Sequence, residues 1–270
     1  MIFEGPRMGA EALALLTSPL FRGQEVPRGA GRPVLLVPGF MAGDNSLALL
    51  NGWLRRQGFR VHGSGITRNV ECSEKALGRL SARVQELSDR YDQPVAVIGH
   101  SRGGTYGRVL AVRHPGMVDH VVTLGSPLVA SMEDFHPILR FNIRTLQTLQ
   151  RVAGGGLIAS SCEESWQAHK FGFEDVGCCS KFWADMDDDV PAGLQFTSIY
   201  SRSDGVVHWR ACLDPAAAHL EIDGSHCGMA VNAKVFRAIA EQLAPIQEYT
   251  TSYAGSGIRG GVVPGIAVAG

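Results

Sequence analysis

The chain has 270 residues and a formal net charge of −1, so its totals create no field that would hold a phosphate backbone or an anionic membrane. Nucleic acid is not an expected partner. Hydrophobic residues make up 45% and charged ones 19%, proportions that exclude a disordered or fibrous chain and leave enough apolar material for a sizeable core in one domain, taken here as residues 1–270.

In chain order, the opening "MIFEGPRMGAEALALLTSPLF" lacks a basic region followed by a long apolar stretch and a small-residue cleavage site. No segment has the roughly 18 uninterrupted apolar residues of a spanning helix. The expectation is a soluble, cytoplasmic protein with no transmembrane segment, secretion of a processed form being left open.

From Arg32 to Leu128 short β-branched runs alternate with amphipathic stretches. "PVLLVPGF" is a continuous apolar strand, and "LALLNGWLRRQGF" sets Leu47, Leu50, Trp53 and Leu54 on one helical face. "FRVHGSGI" reads as a second strand. In "SEKALGRLSARVQELSDRY" Leu77, Leu80, Val84 and Leu87 keep helical spacing with charges opposite. The strand "VAVIGH", a helix through "TYGRVLAVRHP" and the strand "HVVTLGSPL" follow. Strands alternating with helices imply parallel pairing through right-handed crossovers, hence a mostly parallel α/β sheet covered by helices.

The rhythm breaks over residues 129–191, where helical pieces such as "FHPILRFNIRTLQTLQRV" carry no persuasive strand. An insertion between two strands of one sheet is expected there. It returns with "FTSIYS", "HLEIDG" and a helix across "NAKVFRAIAEQL", with Val235, Ile239 and Leu243 facing inward. The tail, residues 251–270, is biased to Gly, Ala and Val and is read as flexible or lying on the surface. The six cysteines (Cys72, Cys162, Cys178, Cys179, Cys212, Cys227) show neither a CxxC pair nor a zinc spacing. They read as small buried hydrophobes, or as one or two disulfides whose pairing the sequence does not choose. The acidic run "DMDDD" lacks the glycine and distal glutamate of a calcium loop and reads as solvated. No metal site is expected.

The informative stretch is "PVAVIGHSRGG". "GHSRG" is a G-x-S-x-G sequence with a strand directly before and a helix directly after, the context of a strained elbow that exposes a serine. Gly99 and Gly103 have a steric reason, since a tight elbow leaves no room for side chains there. Ser101 would sit at the positive end of the following helix. A serine hydroxyl is a weak nucleophile at neutral pH and needs a base, itself oriented by a further group.

With "VLLVPGF", "VIGHSRGG", "LGSP", "SRSDGVV" and "GSHCGM" in this order, the chain resembles the α/β-hydrolases over nearly its whole length, and within them the bacterial lipase and esterase branch. The resemblance implies the chain order serine, acid, histidine, with acid and base on loops after late strands. Asp204 follows "FTSIYS" as the family's acid does, while Asp214 and Asp223 fit strand ends less well and Asp185, Asp187, Asp188 and Asp189 precede that strand. As a turn residue before Gly205, Asp204 would also be explained without chemistry. His226 lies where the family's base resides; His208 is its rival, read as a half-exposed polar residue. His100 is expected to point away from the chemistry and to pack or line rather than do acid–base work, and Cys227 to be a small core residue.

The resemblance further implies an oxyanion hole of two backbone N–H groups, from Arg102 and from Phe40, with Met41 as the alternative to Phe40. Arg102 is expected to matter chiefly through that N–H. In the insertion, Phe135, Ile138, Leu139, Leu146 and Leu149 form an apolar stripe suited to a lid and acyl pocket. The implied activity is hydrolysis of a small-molecule or lipid carboxylic ester with no cofactor, lipid-interface contact being transient. An acyltransferase using the same acyl-enzyme and a non-catalytic binding module on the same fold are the alternatives.

Overall fold

Six strands lie side by side in the computed structural model, which describes residues 4–24, 26–129 and 179–244. They are β1 (Pro33–Val37), β2 (Arg60–Gly63), β3 (Val95–His100), β4 (Val118–Leu124), β5 (Gln195–Tyr200) and β6 (Ala218–Glu221). Their spatial order is β2-β1-β3-β4-β5-β6, and every pair among them is parallel. Each parallel pair needs a crossover, and helices α1 (Glu4–Thr17), α2 (Ala48–Arg56), α3 (Ser73–Tyr91), α4 (Arg102–Arg113), α5 (Ser180–Asp187) and α6 (Ala233–Leu243) flank the sheet.

Side-chain alternation along the strands divides the core into two layers. Val34 and Leu36 of β1, Ala96 and Ile98 of β3 and Val122 and Leu124 of β4 pack with α2, α6 and Leu15 of α1. Leu35, Val37, Val95, Val97 and Val121 face the other way, onto α3, α4 and α5. A sheet covered on both faces explains why the central strands read as unbroken apolar runs. The inward residues predicted for α2, α3 and α6 are all buried. In the first layer the Trp53 and Phe236 rings meet at 5.1 Å, and the Trp53 indole N–H donates to Leu20 O at 3.0 Å.

Several details differ from the sequence reading. Helix α4 starts at Arg102, directly after the serine, with Gly103 and Gly104 inside its first turn. Helix α1 was not anticipated. In the acidic run, Asp185 is not solvated: it is buried on α5 and held by Arg113 and Lys181. Beside it Arg108, also buried, donates to Asp214 at 2.6 Å and to the Asp185 and Asp188 carbonyls, fastening α4 to α5. Among the described cysteines Cys72, Cys179 and Cys212 are wholly or partly buried, with Cys72 Sγ and Cys179 Sγ 3.2 Å apart. Cys227 is exposed, contrary to the core role expected for it. No helix among the described residues is long and apolar enough to cross a membrane. The lid stripe Phe135, Ile138, Leu139, Leu146 and Leu149 and the tail 251–270 lie outside the described residues.

Candidate active site

The strand order reverses at β1 and β3: the chain leaves β1 toward β2 on one side and resumes at β3 on the other. Crevices at the carboxyl ends of strands at such a switch point are where open α/β sheets bind ligands. Ser101 stands there, directly after β3 and before α4, with φ +52° and ψ −122°. This is a conformation that a non-glycine residue adopts only under constraint from its surroundings.

The constraint is visible in the backbone. A Cβ at Gly99 would lie 2.3 Å from Gly103 O, and one at Gly103 would lie 2.2 Å from Val37 O. The first contact is within the elbow, as expected; the second is with the end of β1. Ser101 N–H donates to Leu124 O at 2.8 Å, tying the elbow to β4 as well.

The loop after β1 packs on the elbow. A Cβ at Gly39 would sit 3.1 Å from Ser101 Cβ, and Ala42 N–H closes a turn onto Gly39 O at 3.1 Å with Met41 at φ +61°. Met41 N–H already donates to Asn69 O at 3.0 Å, which removes it as a free donor. Among the described residues no acceptor is found for Phe40 N–H. Arg102 N–H is at the first position of α4, where a helix has no internal acceptor to offer.

Asn69, which no sequence pattern marked, organises this loop. It is fully buried, donates from Nδ2 to Pro38 O at 2.8 Å, and exchanges backbone bonds with Met41 and Ala42. Arg102 adds more than its N–H: its guanidinium donates to Glu71 O at 2.7 Å and Ser73 Oγ at 3.0 Å, fixing the segment that carries Asn69.

On the other side of the elbow, the loops after β5 and β6 bring Asp204 and His226 together. His226 Nδ1 lies 2.7 Å from Asp204 Oδ2, and both side chains are about as buried as core residues. A carboxylate can only accept, so Nδ1 carries the proton and Nε2 is left as the basic nitrogen. The second Asp204 oxygen accepts from Val206 N–H at 2.7 Å and Val207 N–H at 2.8 Å. Gly125, at φ +56° just after β4, lies against the pair: a Cβ there would meet Asp204 Oδ2 at 3.0 Å and His226 Nδ1 at 3.1 Å.

The rivals are occupied elsewhere. Asp214 is buried in its bond to Arg108, Asp223 is exposed, and His208 is exposed at the start of a 3₁₀ turn. His100 does not point away. Its ring packs 4.9 Å from that of His226, and its Nε2–H donates to His226 O at 2.9 Å. Burial, reinforced by the nearby His226, holds its pKa down to about 4, so the ring is neutral at physiological pH. The Cys227 thiol is pushed up by local desolvation and then by the Glu4, Asp204 and Glu11 carboxylates, which disfavours the thiolate a second nucleophile would need.

Residues 32–181 match the family model described as alpha/beta hydrolase fold. The chain belongs to that family. Solved α/β-hydrolase structures superpose on most of it: the lipase BlEst2 of Bacillus licheniformis in mature form is 16% identical, with 82% of this chain and 95% of that one covered at TM-score 0.54. A monoacylglycerol lipase of Paleococcus ferrophilus is 16% identical, with 79% and 95% covered at TM-score 0.51. The pyrethroid hydrolase PytH is 15% identical, with 78% and 96% covered at TM-score 0.50. At these identities the likeness is one of fold. No curated protein matches the sequence.

Proposed function

We propose that this α/β-hydrolase cleaves carboxylic esters through an acyl-enzyme on Ser101, with His226 as general base and Asp204 as its orienting acid. The observation that carries the reading is the buried 2.7 Å bond between His226 Nδ1 and Asp204, presented at the same sheet edge as a serine in a strained elbow. Neither feature is required by the fold alone, and together they meet the needs of a serine nucleophile.

In the proposed cycle Ser101 Oγ attacks the ester carbon and its proton passes to His226 Nε2. Asp204 keeps the imidazole in the productive tautomer and favours the imidazolium. The oxyanion is received by the N–H groups of Phe40 and Arg102, each such donor contributing about 10²–10³ in rate. His226 then protonates the leaving alcohol, and a water molecule, deprotonated by the same nitrogen, releases the acid. No step calls for a cofactor. Lipases and a pyrethroid hydrolase stand among the fold relatives, and their esters define the substrate class to try first.

A series of p-nitrophenyl esters of rising acyl length, run on the parent protein and on Ser101→Ala, tests this. The parent should turn over part of the series and the variant should lose about 10⁵-fold or more in kcat. Equal hydrolysis by both would sink the proposal, and the length profile separates esterase from lipase preference.

A further inference from the structure

Helix α1 turns three charged residues inward beside Leu15 and leaves Met8, Leu13 and Leu16 outward. Glu4 and Leu15 are buried and Arg7 and Glu11 half-buried on the face toward the protein, while Met8, Leu13 and Leu16 are exposed. Residues 4, 7 and 11 fall at i, i+3 and i+7, one stripe of a helix. Leu15 accounts for the core contact of this face, and the polar stripe before it needs another reason.

Its partners supply one. The Glu4 carboxylate accepts from Gly205 N–H at 3.0 Å and from Cys227 N–H at 3.1 Å, the residues immediately after Asp204 and His226. Arg7 donates to Ser203 O and Ser203 Oγ, both at 2.8 Å, immediately before Asp204. Glu11 accepts from Ser225 N–H at 2.8 Å and Ser225 Oγ–H at 2.9 Å, immediately before His226. A Cβ at Gly228 would land on the Glu11 carboxylate, so that glycine makes the room Glu11 uses. The two loops are also stitched to each other, Ser201 Oγ accepting from Ser203 N–H and Gly224 N–H and Ser203 Oγ–H donating to Asp223. Burying a carboxylate such as Glu4 is unfavourable unless its oxygens are satisfied, and here the donors are the backbones that flank the acid and the base.

We infer that α1 is a strap whose Glu4, Arg7 and Glu11 act as positioning residues, setting the distance and angle between the Asp204 and His226 loops from outside the site. The inference rests on the serine-hydrolase reading above. Displacing a catalytic group by about 1 Å costs about 10²-fold in rate, so a strap that fixes both loops acts on turnover rather than on substrate affinity.

The test measures kcat per active site, with a fluorophosphonate probe titrating reactive Ser101 in each preparation. Glu4→Ala and Glu11→Ala should each lower kcat per titrated site about 10- to 100-fold with KM within about two-fold. Glu4→Gln, which keeps one acceptor oxygen, should fall between Glu4→Ala and the parent. A helix that merely stabilises the fold would instead lower the fraction of titratable sites and the melting temperature, leaving each surviving site at the parental kcat; that result overturns the inference. If the alanine variants do not fold, Glu4→Gln and Glu11→Gln give the same reading: a fall of about three-fold or more supports the strap and an unchanged kcat per site overturns it. Parental activity in Ser101→Ala would remove the hydrolase reading itself. An inactive Ser101→Ala beside fully active strap variants would remove the strap alone.

Discussion

The nucleophile half and the acid–base half of the site are held by different forces. Ser101 is fixed by backbone against backbone: Gly99, Gly103 and the end of β1 approach so closely that only one turn geometry fits. Asp204 and His226 are fixed by hydrogen bonds, from the Val206 and Val207 N–H groups, from the His100 ring and from α1. Steric fixation couples chemistry to folding, because the contacts that aim the serine also join β1, β3 and β4. Hydrogen-bond fixation allows the two to be separated.

The sharpest separation is expected at the acid. Asp204→Asn keeps an oxygen to accept from Val206 and Val207, so the loop should hold its shape, while its amide N–H₂ faces His226 Nδ1 and imposes the wrong tautomer. Steady-state kinetics should show kcat down about 10⁴-fold, with the melting temperature near the parental value; near-normal turnover would move the acid elsewhere. Gly99→Ala should do the opposite and damage both properties at once. Its Cβ falls on the Gly103 backbone, so denaturant unfolding should register a loss of about 1–3 kcal/mol or more, accompanied by loss of activity. A stable but inactive Gly99→Ala would contradict the steric account of the elbow.

A third effect, visible only as a pH dependence, is expected at His100. Its pKa is about 4 in the folded chain against 6.5 for the free side chain. Between those values the unfolded state binds the proton and the folded state does not, so stability is complete above about pH 6.5 and falls as the pH drops toward 4. The contribution is on the order of 3 kcal/mol. Urea unfolding across this window should show that slope in the parent and lack it in His100→Gln, which keeps an N–H for His226 O. Identical slopes would mean that His100 titrates normally in the folded protein.

The same division explains what was legible in the sequence. The apolar strands and the helices α2, α3 and α6 were readable because their periodicity is local and their burial follows from it. The elbow was readable because glycine sterics act over five residues. Helix α1 was not, because a reading that looks for apolar residues inward has no place for one that buries Glu4 and exposes Leu13. Asn69 stands alone in a loop, and its role depends on Pro38, Met41 and Ala42 being brought across from β1. His100 was assigned the wrong direction because its partner lies 126 residues away, and Asp185 the wrong environment because Arg113 comes from another helix.

The Glu4 carboxylate joins backbone groups 201 and 223 positions further along the chain. Contacts of such sequence separation close late in folding, since the loop entropy must be lost before they form. The sheet and the core layer under α3, α4 and α5 can therefore be complete in a molecule whose acid and base are not yet set. Competence would come as a final docking step, so activity should return after far-UV circular dichroism has already reached its native value.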